Sequence, residues 1–261
     1  MTLKVILLAA GKGERFSSKG YTTEKPLLEY MGKPMLEHAI LFAENVIMSG
    51  RMEGVYPEAN VIVVGTPTAC ETANQYSSEI KTVVVEECQN GAAFSAYLAS
   101  AYLKPDDRVL IVDTDNVYHD DDGEFAAYLW GESVPNSIMY ATVPDTEYHK
   151  FLAEEEQTNG ELRPILDGYS KYDSKREYPH LVNPKEISLS KNFVIGVYFF
   201  NKWQTFQYEF FNSAESFLIF KKEFSILELM SAVEPVCVEF PYEEWLPAGT
   251  PVQYEGMKNG Q

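Results

Sequence analysis

Hydrophobic residues fall along this chain in two rhythms. Short β-branched runs at Leu3–Ala10, Val61–Val64, Thr82–Val85, Val109–Val112 and Ile138–Thr142 are separated by segments long enough for helices. The first run is apolar at nearly every position, as in a central parallel strand covered on both faces. Between Pro34 and Met48 the period changes: Met35, Leu36, Ala39, Ile40, Ala43, Val46 and Ile47 recur at helical spacing behind a proline. A further helix is predicted from Ala92 through Leu103. Strands alternating with helices predict an α/β fold, a doubly wound, Rossmann-like sheet. In such sheets ligands sit beyond the carboxyl ends of the strands, where the loops after Ala10, Glu86 and Val112 would converge.

The 261 residues, 45% of them hydrophobic, suffice for one sizeable domain over 1–261, and nothing marks a linker or an internal repeat. No apolar stretch reaches the length of a membrane span, and Val5–Ala10 is too short for a signal-peptide core. A cytoplasmic location without membrane partners is expected. Cys70, Cys88 and Cys237 have no C-x-x-C spacing and read as ordinary thiols. The net charge of −18 excludes a nucleic-acid partner, which needs a basic surface. Its distribution is uneven: residues 1–33 carry six Lys and Arg against three Glu, a local +3, leaving −21 on the rest.

That basic stretch follows the first strand directly. Gly11 and Gly13 allow a tight turn whose N–H groups can point at phosphate oxygens, while Arg15 and Lys25 supply positive charge without any Walker lysine-serine pair. A dinucleotide loop would need a third glycine and an immediate helix. Here Arg15 and Phe16 stand in that place, and Ser17–Thr23 read as irregular chain. The segments LAAGKGERF and EKPLLEYMGKPMLEHAI resemble the opening of the sugar-phosphate nucleotidyltransferases, or NDP-sugar pyrophosphorylases. The resemblance runs along nearly the whole chain, strongest over 3–40 and weakest over 145–180.

It implies a nucleotidyltransferase or glycosyltransferase-A-like mixed sheet, with 1–142 binding nucleotide and 143–261 forming a small β-rich acceptor-binding subregion and C-terminal elements. Leu8, Ala9, Ala10, Gly11, Lys12 and Gly13 would hold the nucleotide, together with Gln89, Gly91 and Ala92 of the second loop. An amide such as Gln89 pairs with a base edge, and Gly91 and the alanines leave room for base and ribose. The third loop, Val112-Asp113-Thr114-Asp115, looks like the family's strand ending in a magnesium-binding Asp; Mg²⁺ commonly takes one or two protein carboxylates. Asp115 is the expected ligand. Asp113 is read with the nucleotide site and lies on the same side of an extended chain, which leaves either a shared role or capping of a neighbouring loop. Asp120–Asp122 read as a solvated loop and His38 as structural.

Val182–Ser188 and Asn192–Phe200 resemble the family's E-K segment and its G-x-Y-x-F strand, so Lys185 and Gly196 are expected at the acceptor, with Tyr169, Tyr172 and Tyr178 available for stacking or packing. Pro184 stands in place of the sugar-contacting Glu. In Trp245–Pro251, which resembles W-x-D-x-G-T-P, Pro247 replaces a metal-binding Asp, leaving Asp113 or Glu243 as substitutes. The implied reaction joins a nucleoside triphosphate to a sugar 1-phosphate and releases pyrophosphate. Arg15 would hold the β and γ phosphates, Lys25 the α-phosphate, Asp115 the Mg²⁺ and Lys185 the incoming phosphate. Two alternatives stay open: cytidylyl transfer to a non-sugar phosphate, and a catalytically silent nucleotide-binding relative. A role in surface polysaccharide synthesis and a homo-oligomer rest on family habit.

Overall fold

The computed structural model describes residues 2–11, 13–55, 58–86, 90–120, 123–131, 133–144, 192–220 and 224–259. In chain order its strands are β1 (Thr2–Ala9), β2 (Glu29–Tyr30), β3 (Lys33–Pro34), β4 (Glu58–Gly65), β5 (Lys81–Val84), β6 (Arg108–Asp113), β7 (Asn116–Tyr118), β8 (Ser137–Thr142), β9 (Asn192–Phe200), β10 (Val236–Glu239) and β11 (Trp245–Pro247). The helices are α1 (Glu14–Ser17), α2 (Met35–Met52), α3 (Pro67–Tyr76), α4 (Ala92–Leu98), α5 (Glu124–Leu129), α6 (Trp203–Phe220), α7 (Ile226–Ala232) and α8 (Pro251–Lys258). The predicted strands and both predicted helices fall on these elements. Pro34 occupies the N-cap position of α2 without a side-chain capping bond, and the second helix tightens into a 3-10 turn over Ala99–Tyr102 before Leu103.

Seven strands form one sheet in the order β10-β8-β9-β6-β1-β4-β5. β1 pairs in parallel with β4 on one side and β6 on the other, whereas β9 runs antiparallel to both β6 and β8. This is the mixed α/β sheet expected. The winding reverses between β1 and β6, which opens a crevice at their carboxyl ends.

Both faces of the sheet are buried, which is why β1 is apolar without alternation. On one face Leu3, Val5 and Leu7 pack with Leu36, Ile40 and Phe42 of α2 and Leu129 of α5. On the other, Ile6, Ile111 and Tyr198 pack with Ala93 and Ala96 of α4, Phe206 and Phe210 of α6, and Leu229 of α7.

A third, smaller core joins the ends of the chain. Phe16 from α1, Leu28, Met35 and Val117 close around Tyr254 and Met257 of α8. The Phe16, Tyr21 and Tyr254 rings meet edge to face, with centroids 5.3 to 6.0 Å apart, and the Tyr21 hydroxyl donates to Glu255. That bond, with burial, pushes the Tyr21 pKa up to about 12, so the phenol stays a donor at any physiological pH. The C-terminal helix thereby pins the loop that carries Arg15 and leads to Lys25. Phe16→Ala should cost about 3–5 kcal/mol and lower Tm on the order of 10 °C in a circular-dichroism melt; an unchanged Tm would mean the helix does not brace the loop.

Candidate active site

The register of the sheet sets the first contact of the site. Leu8 of β1 lies opposite Asp113 of β6, so the glycine loop and the carboxylate loop leave the sheet side by side. The Thr114 hydroxyl donates to the Leu8 carbonyl at 2.8 Å and ties the two loops together. Gly13 turns through φ +62° to start α1, and an added Cβ at Gly11 would meet nothing within 4 Å, so the chain there faces open cleft.

Lys25 opens a short 3-10 turn in which Pro26 fixes the backbone. Immediately before it, the Glu24 carboxylate accepts from the hydroxyl of Thr66, which also caps α3 through Ala69 N at 3.2 Å. Held from that side, the Lys25 ammonium reaches Asp115 Oδ2 at 2.5 Å and lies 5.8 Å from the Phe16 ring centroid. Both side chains are mostly covered, 18% and 29% exposed. Asp115 is fixed by two further contacts, one of them backed by a third bond. Asn116 Nδ2 donates to its Oδ1 at 2.9 Å, Trp245 Nε1 of β11 donates to Asn116 Oδ1 at 3.0 Å, and Ala248 N donates to the Asp115 carbonyl at 3.0 Å. The carboxylate geometry is therefore imposed by a network rooted in the C-terminal segment.

Asp113 lies beneath. Burial first, and repulsion from Asp115 second, push its pKa up to about 8, with Lys25 pulling the other way. Gly196 of β9 makes room for it: at φ +79°, a Cβ there would fall 2.6 Å from Asp113 Oδ2. The buried Tyr118 hydroxyl donates to Ile195 O at 2.7 Å, with Asp113 O at 3.3 Å, and burial raises its pKa well above the phenol's ordinary value. Asp113 is thus seated by strand pairing and Asp115 by side chains.

At the start of α4, Gly91 has a structural use beside the one expected. The sequence reading opens Gly91 to the base and ribose, yet its α-carbon is covered by chain: a Cβ would lie 2.5 Å from Phe224 N. Phe224 N donates to Asn90 O and Ala93 N to Phe224 O, both at 2.9 Å, so the segment before α7 docks on the glycine. Gly91 and Ala92 still line the cleft, now with Phe224, Ser225, Ile226 and Leu227 beside them.

Gly11, Gly13, Lys25, Gly91, Asp113, Asp115, Asn116 and Gly196 border one cleft of about 490 Å³, lined also by Leu8, Ala9, Ala10, Arg15, Pro247 and Gln253. That volume is ample for a nucleotide-sized ligand. Two carboxylates beside lysine and arginine fit Mg²⁺, which keeps waters and substrate oxygens for most of its shell. They do not fit a metal caged by protein: among the described residues no group of three or more His, Cys, Asp or Glu could hold one. No described helix is long and apolar enough to cross a membrane.

Residues 5–176 match the model of the MobA-like NTP transferase domain. The chain belongs to that family. Curated relatives include the bifunctional protein GlmU of Methanocaldococcus jannaschii, 25% identical over 178 residues, covering 66% of this chain and 40% of that protein. GlmU of Methanococcus vannielii is 29% identical over 126 residues, 48% of this chain and 28% of that protein. The chain therefore spans well under half the length of the relatives it matches.

Solved structures share the fold across the whole chain. A candidate glucose-1-phosphate thymidylyltransferase from Bacillus anthracis superposes with TM-score 0.66 at 19% identity, covering 99% of this chain and 94% of its own. The inositol-1-phosphate CTP transferase of T. maritima gives 0.60 at 14% identity, covering 98% and 95%. The resemblance of the opening motif to the sugar-phosphate nucleotidyltransferases is borne out.

Of the residues singled out in the sequence, Leu8, Ala9, Ala10, Gly11, Gly13, Arg15, Lys25, Gly91, Ala92, Asp113, Asp115 and Gly196 come together around this cleft. Lys12, Gln89, Tyr169, Tyr172, Tyr178, Pro184 and Lys185 lie outside the described residues. Glu243 is exposed and does not border the cleft, whereas Asp113 does. Asp120 is a half-buried loop residue whose oxygens also cap α5 through Phe125 N and Ala126 N at 3.1 and 3.0 Å, and Asp121 and Asp122 lie outside the described residues. His38 Nε2 donates to the Tyr30 carbonyl at 2.9 Å, and burial raises the thiol pKa of Cys70 and Cys237, away from nucleophilic use.

Gly196→Ala should destabilise the fold by at least about 1–2 kcal/mol for its left-handed backbone alone, and more for the clash with Asp113. Urea titration reads this loss, and a midpoint equal to wild type would refute the close packing.

Proposed function

We propose that this protein is a cytoplasmic, Mg²⁺-dependent nucleotidyltransferase that joins a nucleoside triphosphate to a sugar 1-phosphate and releases pyrophosphate. The observation that carries the proposal is the pairing of Lys25 with Asp115 across two loops at the mouth of a glycine-lined cleft. A cation for phosphate and a carboxylate for magnesium are what such a transfer requires, and no nucleophilic side chain is needed.

The step is one in-line displacement. An acceptor phosphate oxygen forms a bond to the α-phosphorus, the bond from that phosphorus to the β-bridging oxygen breaks, and pyrophosphate departs with the negative charge. Catalysis then rests on alignment and on neutralising charge as it moves. Lys25 and Arg15 both line the cleft, and we assign Lys25 to the α-phosphate and Arg15 to the β and γ phosphates. Asp115, with Asp113 beneath, would hold Mg²⁺, which when bound neutralises phosphate oxygens. Lys185 is proposed for the incoming phosphate.

A second reading is cytidylyl transfer to a phosphorylated alcohol that is not a hexose. Pro184 and Pro247, where the family resemblance leads one to expect carboxylates, favour it, and one structural neighbour is an inositol-1-phosphate CTP transferase. Release of pyrophosphate, tested with each of ATP, GTP, CTP, UTP and dTTP against a pool of sugar 1-phosphates and a separate pool of phosphorylated alcohols, decides between them. No release with any pair would sink both readings.

Lys25→Ala and Asp115→Ala should each lower turnover about a hundredfold to a thousandfold, as for loss of one electrostatic contact in the transition state, with near wild-type far-UV circular dichroism. Rates within about threefold of wild type in either variant would contradict the assigned roles.

A further inference from the structure

We infer that Gln253 is a phosphate ligand, donating from Nε2 to a phosphate oxygen of bound substrate; the inference rests on the nucleotidyltransferase reading above and deepens it.

α8 starts at the cleft. Gly249, Thr250 and Gln253 all line it, and Pro251 at the first helical position has no N–H to offer. Thr250 and Gln253 form a capping box: Gln253 N donates to Thr250 Oγ1 at 3.2 Å, and Thr250 N donates to Gln253 Oε1 at 3.1 Å. This second bond fixes the amide, since exchanging Oε1 and Nε2 would set a donor against a donor. Nε2 is thereby left over. Gln253 is only 6% exposed, and Nε2 has no hydrogen-bond partner among the described residues. A buried donor without a partner is rare in folded proteins; Nε2 is itself covered, but it belongs to a residue of the cleft wall, where a small side-chain shift on binding brings it to a ligand.

The surroundings decide the sign of that ligand. A Cβ placed on Gly249 would stand 3.4 Å from Gln253 Oε1 and 3.5 Å from Asp115 Oδ2, so the amide flanks the Lys25–Asp115 pair. An N–H₂ donor at the positive end of a helix repels a metal ion and attracts an anion. Beside Lys25 and Arg15 the fitting group is a phosphate oxygen, from the nucleotide or from the acceptor.

Two variants test this. Gln253→Glu keeps an acceptor for Thr250 N and suits the capping box, so its Tm should equal or exceed that of wild type. Gln253→Ala removes the donor without adding charge. Calorimetry in Mg²⁺ with the five nucleoside triphosphates, and separately with inorganic phosphate, should show affinity falling about tenfold or more in both variants for one probe class, as for loss of a hydrogen bond to a charged group. Weakening toward triphosphate assigns the contact to the nucleotide, and weakening toward inorganic phosphate assigns it to the acceptor. Wild-type affinity for both probe classes in the Ala variant overturns the inference, even if Glu weakens binding, because repulsion alone would then explain the Glu result. If the wild type binds no triphosphate at all, the nucleotidyltransferase reading fails, and the inference with it.

Discussion

The parallel pairing of β1 with β6 is the constraint on which the rest depends. With Leu8 opposite Asp113, two loops of opposite charge leave the sheet from adjacent strands at the point where the winding reverses. The Lys25–Asp115 contact follows from that register. A slip of one residue would turn Leu7 and Val112 out of their shared core, so the apolar packing that stabilises the sheet also fixes the site.

The charges of the cleft are balanced in a particular way. Two carboxylates at the end of β6 repel each other in a half-buried position, and Lys25 offsets only part of that. Burial and repulsion hold the Asp113 carboxyl toward its protonated form, and such a site is well suited to a ligand that brings a divalent cation and phosphate oxygens in one package. Around it the fold spends its rigid contacts on geometry: Thr66 behind Glu24, Trp245 behind Asn116, Tyr118 across β6 and β9, and Tyr254 behind Phe16. The last three hold groups that line the cleft, and the first holds the residue next to Lys25.

Much of this was legible in the sequence, for identifiable reasons. β1 could be read because burial on both faces forbids polar positions, and α2 because its single buried stripe has a strict period. Arg15, Lys25 and Asp115 could be read because charged residues just past an apolar strand have few structural uses. The supporting contacts could not. Trp245 meets Asn116 across 129 residues, and Tyr254 meets Glu29 across 225. No local pattern encodes such pairs. The backbone packing of Gly91 against Phe224 was not legible, because a glycine that admits a neighbouring backbone looks the same as one that admits a ligand. The capping role of Asp120 was hidden likewise: beside two further aspartates a cap is indistinguishable from a charged loop until α5 is placed. Gln253 escaped notice because its capping-box spacing to Thr250 already accounts for a polar residue there.

The central claim is that this cleft moves a nucleotidyl group and does not merely bind or hydrolyse a nucleotide. Phosphorus NMR of the protein with Mg²⁺, a nucleoside triphosphate and a phosphorylated acceptor pool tests it most directly. The account predicts that the three triphosphate resonances give way to a new phosphodiester-linked diphosphate and free pyrophosphate in equal amounts. Conversion to nucleoside diphosphate and orthophosphate, or triphosphate resonances that persist unchanged with every acceptor, would contradict it.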